Sequence, residues 1–251
     1  MSNVTMRNIY QSGQLKMEDD NKLIYLTPSE PIVYVSNYWI YKQMPSVKQW
    51  VNDIETQSTM HKAQGSNHLS FTFPENETPD DQLLKEIKDK DFELSYLELY
   101  AISPEELNFN TTIDIDVQFV TQDNIEDYLS IHQVFAKPFG DDYLQQSTEI
   151  IRDQFVDDNK DRIIAYKGTI PVGIMDLIKS EDTIEIDGFG VLPDYQRQGI
   201  GQVMQIFVAT VANNRTIILV ADGEDTAKDM YLKQGYVYIS YSYNVLKEHI
   251  N

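Results

Sequence analysis

Within Val191-Leu-Pro-Asp-Tyr-Gln-Arg-Gln-Gly-Ile-Gly201 an extended segment gives way to a helix through a loop that carries two glycines. Pro193 ends regular strand pairing, and Ile200, Val203, Met204, Phe207 and Val211 then recur at helical spacing. The first turn of such a helix has backbone N–H groups without intrahelical partners and the positive end of the helix dipole. Gly199 and Gly201 present no side chain to keep an anion from those groups, so the segment suits a pyrophosphate. Arg197 adds a positive charge to an otherwise acidic chain. Glycine loops serve several ligands. A Walker loop needs GxxxxGK[ST], and no Lys-Ser or Lys-Thr follows these glycines. A dinucleotide fingerprint needs GxGxxG directly after its strand; Met204 occupies the third glycine position, although Asp222 stands where a ribose-binding acid would. On the glycines alone, a helix start that merely requires tight packing is the competing reading.

Two carboxylates precede the loop. In a regular strand Glu185, Asp187, Phe189 and Val191 share one face by the period of two. A bulge at Gly188 or Gly190 would break that parity, and both glycines fit a bulge and the close approach of a ligand. For each acid the bland alternative is an exposed carboxylate at a sheet edge.

The elements that must hold these residues follow from periodicity. Residues 23–42 read as strands rich in β-branched and aromatic side chains. Ser46 to about Lys62 is helical, His68–Phe73 alternates as a strand, Pro79 opens a helix to about Asp89, and Phe92–Ile102 is a long strand. The polar segment Ser103–Asn110 sets a domain boundary, giving domains 1–112 and 113–251. Beyond it the spacing predicts a strand at Ile113–Val120 and a helix from a capping-box-like start at Asp123 and Glu126. Pro138-Phe139-Gly140 breaks that helix, and a second one covers roughly Asp142–Val156. Strands at Arg162–Tyr166, Val172–Ile178 and Thr183–Val191 come next. Then follow a helix from Gly199 to about Asn213, a strand at Thr216–Ala221, a short helix at Thr226–Gln234 and a last strand at Tyr236–Leu246. This order is an α/β (α+β) fold with antiparallel hairpins in the middle. Met44-Pro45 precedes a helix, a strand, a short helix and a long aromatic strand; Leu192-Pro193 precedes the same four elements, which points to a decayed duplication.

Composition narrows the chemistry. The 251 residues are 41% hydrophobic, enough for a real core, and contain no cysteine, which removes thiolate catalysis and cysteine metal sites. His61, His68, His132 and His249 are scattered, so no metal site is expected. A formal net charge of −20 disfavours nucleic acid and anionic membranes and favours cationic or amine-bearing partners. No apolar run has membrane-spanning length, and the first residues lack the basic and apolar pattern of a secretory signal, so a cytoplasmic protein is expected.

The pattern V-x-P-x-x-Q/R-x-x-G-x-G/A, met by Val191, Pro193, Gln196, Gly199 and Gly201, resembles the acetyl-CoA-binding motif of the GCN5-related N-acetyltransferase superfamily. Downstream, Asp225-Thr-Ala-Lys-Asp-Met-Tyr-Leu-Lys-Gln-Gly-Tyr236 is similar to its A-x-x-x-Y-x-x-x-G-F segment through Ala227, Tyr231 and Gly235, with Tyr236 as the aromatic. The resemblance covers roughly residues 113–247. It implies a strand ending at Val191 that splays from the one starting at Thr216, with backbone groups at Phe189, Gly190, Val191 and Val220 facing the pantetheine arm. It implies that Gln196, Arg197, Gln198, Gly199, Ile200 and Gly201 hold the pyrophosphate of acetyl-CoA as co-substrate. Tyr231 matches the tyrosine that acts as general acid on the sulfur. Glu185 matches the glutamate base of the histone-acetylating members, and Asp187 is the other candidate base. Asp141 and Asp142 fall in a linker that often borders the acceptor site.

By the same resemblance the fold is two such domains, each a mixed, mostly antiparallel twisted sheet flanked by helices, with only the C-terminal one complete. The N-terminal segment Val47–Asp53 has no glycine at the loop position, and Ile87 falls where Tyr231 would be, so no CoA site is expected there. The implied activity is acetyl transfer by direct attack in a ternary complex, with a small-molecule amine acceptor such as an amino acid α-amine, in a monomer or homodimer. A protein lysine or N-terminal acetyltransferase and a non-catalytic CoA sensor are the alternatives.

Overall fold

The computed structural model describes residues 4–107, 112–156, 159–224 and 227–250. In chain order the elements are β1 (Leu15–Glu18), β2 (Lys22–Tyr25), β3 (Tyr38–Tyr41), α1 (Val47–Gln64), β4 (Leu69–Thr72), α2 (Asp81–Asp89), β5 (Glu93–Ile102) and β6 (Asp116–Phe119). They continue with α3 (Ile125–Ala136), α4 (Asp141–Gln154), β7 (Lys160–Lys167), β8 (Ile170–Lys179), β9 (Thr183–Val191), α5 (Ile200–Ala212), β10 (Thr216–Asp222), α6 (Ala227–Lys233) and β11 (Val237–Lys247). No helix among the described residues is long and apolar enough to cross a membrane.

The chain packs as two compact units. One comprises Tyr100–Leu219 with Tyr231–Val237, the other Val4–Leu99 with Val220–Met230 and Tyr238–Asn251. In the first, strands lie in the order β10-β9-β8-β7-β6, with β10 parallel to β9 and the remaining pairs antiparallel. In the second, the order is β1-β2-β3-β4-β11, with β3 parallel to β4 and the rest antiparallel. Each set of strands is therefore mixed and mostly antiparallel. Each contains one parallel pair bridged by a helix, β3-α1-β4 and β9-α5-β10, since a parallel crossover needs a long connection.

Element types follow the sequence, while several limits move. Ser46 caps α1 by accepting from the Gln49 amide, and Gly65 ends it in the left-handed region at φ 89°. The start of α3 differs from the expected capping box. Asn124, not Asp123, is the N-cap, and its side chain instead accepts from the Thr121 amide. Residues 23–42 are two strands separated by a turn, because Asn37 ties the intervening loop by donating to the Glu30 and Val33 carbonyls. Asp141 and Asp142 form the exposed first turn of α4, where they complement the helix dipole, and are not in a linker. The centre of the expected boundary, residues 108–111, lies outside the described residues, as do Asp225 and Thr226 of the second motif.

The unit built from β1–β4 and β11 has an aromatic core of Trp39, Tyr41, Trp50, Phe71, Phe73 and Phe92. Two of the scattered histidines meet beneath it. His61 and His68 are fully buried with ring centroids 4.9 Å apart. His61 Nδ1 donates to the His68 carbonyl at 2.7 Å, and His68 Nε2 donates to that of Asn37 at 3.0 Å. The other two ring nitrogens find no hydrogen-bond partner among the described residues. Burial, then the neighbouring His68, pushes the His61 pKa down to about 4. The folded value lies below the unfolded one near 6.5, so this stabilising contribution is complete above pH 6.5 and is lost as pH falls towards 4. The full loss amounts to about 3 kcal/mol. In urea unfolding at pH 7 and pH 4.5, the parent protein should lose more stability on acidification than His61→Gln does. Equal losses would remove the histidine pair as the cause.

Candidate functional site

The glycine loop has a backbone suited to gripping an anion. Arg197 has φ 60° and Gly199 φ 84°, while Gln198 between them is not in the positive-φ region. Alternation of this kind turns successive N–H groups towards one side, as in a backbone nest. Gly199 is the N-cap of α5 and offers no side-chain cap; helical hydrogen bonds begin with Gln202 N to Gly199 O at 3.1 Å. The amides of Ile200 and Gly201 thus precede the ladder, at the positive end of the dipole. Side chains brace the loop. Gln196 Nε2 donates to the Val191 carbonyl at 3.0 Å, and Gln198 Nε2 to that of Asp194 at 3.0 Å.

A second cation stands here. Lys167, at the end of β7, donates from Nζ to Gln198 Oε1 at 2.9 Å and lies 5.9 Å from the Tyr195 ring centre. The β7–β8 hairpin delivers it across 31 residues of sequence, so no linear motif announces it. Nest, helix mouth, Arg197 and Lys167 together fit a diphosphate.

The two glycines at the end of β9 divide the work differently from expectation. Gly188 has φ 55°, and the pairing of β8 with β9 shifts between Ile174 and Asp176, so the bulge sits there. At Gly190 an added Cβ would meet the Phe135 ring at 2.6 Å. That glycine admits a side chain of α3. Gly201 likewise packs on Phe189, whose Cζ would lie 3.2 Å from an added Cβ. The bulge breaks the parity of β9. Glu185 and Asp187 stand opposite Ile178 and Asp176, on the side bonded to Tyr128 of α3. Phe189 and Val191 turn towards α5, whose Met204 fills the space above Gly173. Parallel pairing of β9 with β10 runs only from Thr183↔Thr216 to Glu185↔Ile218; Ile186 and Leu219, next in register, do not pair. The ladder between the two strands ends there. Val220 lies on β10 in the other compact unit.

Beneath α3 and α4 the sheet carries a set of charges. Glu185 is 5% exposed, which rules out the exposed-edge reading for it; Arg162 and Asp176 are buried as well. Asp187 is the accessible acid, with its side chain 46% exposed. Lys160 Nζ lies 2.8 Å from Asp187 Oδ2 and 3.6 Å from Asp176 Oδ2. Tyr128 donates its hydroxyl proton to Asp176 Oδ1 at 2.6 Å. Burial raises the pKa of Asp176, with Lys160, Tyr128 and Arg162 opposing it. Burial works against the Lys160 ammonium, but Asp187 and Asp176 outweigh it and hold its pKa above the usual lysine value. The sequence reading missed Lys160, Arg162 and Asp176. Their signal was present: Arg162 and Asp176 are charges inside otherwise apolar strand runs, Arg162-Ile-Ile-Ala and Gly173-Ile-Met-Asp-Leu-Ile178.

Tyr231 lies on α6 and is 9% exposed, with ring centroids 5.4 Å from Tyr236 and 6.2 Å from Tyr100. Its carbonyl accepts from the amides of Gln234 and Tyr236 at 3.0 and 3.1 Å, closing the helix before Gly235 at φ 96°.

Residues 128–236 match the model of the acetyltransferase (GNAT) family, and residues 4–100 match a domain of unknown function (DUF5613). Among solved structures the chain is similar to a functionally unknown conserved protein from Staphylococcus epidermidis, with 49% identity, 99% of each chain covered and a TM-score of 0.95. It shares the fold of a GCN5-related N-acetyltransferase from Kribbella flavida at 15% identity, covering 94% of this chain and 90% of that one, with a TM-score of 0.66. It also shares the fold of a tandem GNAT protein from the clavulanic acid biosynthesis pathway at 7% identity, covering 84% and 75%, with a TM-score of 0.53. No curated protein matches the chain.

Proposed function

The chain belongs to the acetyltransferase (GNAT) family through residues 128–236, and on that premise we propose that it is an acetyl-CoA-dependent N-acetyltransferase acting on the amine of a small molecule, an amino acid α-amine or similar. The observation that carries this reading is the loop at the mouth of α5, with alternating backbone handedness at Arg197–Gly199 and two cations beside it. In this reading the amides of Arg197 to Gly201 hold the pyrophosphate, Gln196 fixes the loop to Val191, and Phe189, Gly190, Val191 and Val220 line the pantetheine arm. Bound acetyl-CoA supplies an acetyl group activated as a thioester. Asp187 takes the proton from the acceptor ammonium, directly or through water, so that a neutral nitrogen attacks. Glu185, more deeply buried, is the second candidate for that role. As the C–S bond breaks, Tyr231 gives its phenolic proton to the sulfur, and the second proton, shed by the acylated nitrogen, restores the phenol through solvent. The products are an N-acetylated amine and free CoA.

Residues 1–112 are read as a degenerate copy. The run α1-β4-α2-β5 repeats α5-β10-α6-β11 in element type, and each run opens on the helix of a parallel crossover. The compact units divide the molecule by packing, whereas the boundary after residue 112 divides it by descent. The absence of a glycine in Val47–Asp53 is the reason to assign this half no CoA site. A cytoplasmic location and a monomer or homodimer complete the reading.

The test is release of free thiol from acetyl-CoA across small amines, amino acids, polyamines and lysine-bearing peptides. Turnover is expected with small amines and not with peptides. Turnover confined to peptides would transfer the assignment to protein acetylation, and CoA binding without release for any amine would leave a sensor.

A further inference from the structure

The charges on the sheet face under α3 and α4 cost folding energy. Buried ion pairs are commonly no more stabilising than apolar side chains of the same size, and often less. At the positions of Arg162, Asp176 and Glu185, exposed by 5%, 8% and 5%, leucines would serve stability as well or better. A set of buried ionisable groups in one place is a candidate for ligand recognition. The group is graded from inside to outside. Tyr128 holds Asp176 at 2.6 Å, Asp176 stands behind Lys160 at 3.6 Å, and Lys160 meets Asp187 at 2.8 Å. Asp187 Oδ1 accepts from the Gly188 amide at 2.9 Å, which fixes the carboxylate against the bulge. The outermost pair is the accessible one, with side-chain exposures of 22% for Lys160 and 46% for Asp187. Tyr143 of α4 stands beside it; burial, then the Asp187 charge, raises its phenol pKa.

We infer that the Lys160–Asp187 pair reads both charges of a zwitterionic acceptor, an α-amino acid, with Asp187 taking the ammonium and Lys160 the carboxylate. This rests on the reading that an amine is acetylated at this site. The two protein charges lie side by side, as do the ammonium and carboxylate on the single α-carbon of an amino acid. A zwitterion laid head to tail on the pair closes a ring of four alternating charges without breaking the existing contact. A simple amine or a polyamine meets the repulsion of Lys160 and Arg162. A simple carboxylate meets that of Asp187, Asp176 and Glu185. Lys160 is a specificity residue in this arrangement, and Asp176 and Tyr128 position it.

The test is isothermal titration of the full chain, saturated with CoA, with the protein amino acids, their methyl esters, their decarboxylated amines and spermidine. At least one amino acid should bind about tenfold or more tightly than its own ester and amine. Lys160→Met should erase that difference, and Lys160→Arg should keep it. The comparison on the unaltered protein needs no variant, so a folding failure of Lys160→Met does not disable the test. If no amino acid binds better than its ester and amine, or if Lys160→Met keeps the preference, the inference fails. Thiol release measured in parallel separates the two readings. A zwitterion preference without release removes acetyl transfer and leaves the recognition. Release as ready with esters or spermidine removes the recognition and leaves the transfer.

Discussion

Gly199→Glu should lower acetyl-CoA affinity about a thousandfold or more, roughly 4 kcal/mol, while leaving the protein folded. Two effects add. Gly199 has φ 84°, where a residue with a Cβ is strained by about 1–2 kcal/mol, and the new Cβ would lie 3.3 Å from Ile113 Cδ1. The larger effect is electrostatic. A carboxylate at the N-cap of α5 would itself occupy the positive end of the dipole and the amides of Ile200 and Gly201. That same attraction offsets part of the strain, which is why the fold should survive. Gly199→Ala carries the strain without the charge and should cost only about tenfold. Titration of both variants with acetyl-CoA, alongside their thermal unfolding, checks the expectation. Parent-like binding by Gly199→Glu would mean that the anion is held elsewhere.

The loop was legible because its signal is local. Thr183–Val191 reads as a strand at the limits observed, and the helix after Gly199 begins one residue later than read. Gly and Pro mark such places through backbone geometry that no distant contact overrides. β1 was not read, because Leu15–Glu18 is short, exposed along its whole length and lacks the alternation that a half-buried strand imprints. The start of α3 was misread by one residue, because Asp123 and Asn124 are both good caps and backbone geometry chose between them. Residues that act by meeting across strands were the least visible. Lys160, Asp176 and Asp187 lie on three successive strands, and only the antiparallel register brings them to one place. The parity argument for Glu185 and Asp187 held up to the bulge and failed beyond it, as a single left-handed glycine at 188 dictates.

These two classes of signal also separate the functions assigned to the fold. The carrier loop is built from backbone, so a linear motif describes it. The charged face beneath α3 is built from side chains on neighbouring strands, so no linear motif describes it. A net charge of −20 sharpens the division. Arg197 and Lys167 add local positive charge at the loop, while under the proposed function the general field would favour the approach of a protonated amine.

Tyr231→Phe should lower kcat by about 10²–10⁴ and leave the dissociation constant of acetyl-CoA unchanged, because it removes one proton donor and no packing. The Tyr231 ring is nearly buried between Tyr236 and Tyr100, and phenylalanine keeps those edge and tilted contacts. A neighbouring phenol provides the control. Tyr236 is 3% exposed and its hydroxyl finds no hydrogen-bond partner among the described residues. Burial, then Tyr231, raises its pKa above the usual tyrosine range, so it is a poor proton donor. Tyr236→Phe should change kcat less than about twofold, and removing an unsatisfied buried hydroxyl should leave stability equal or higher. Single-turnover thiol release at saturating acetyl-CoA distinguishes the two phenols. A large fall in Tyr236→Phe with parent-like rates in Tyr231→Phe would move the acid role to the second tyrosine. Parent-like rates in both would mean that the sulfur leaves without help from either phenol.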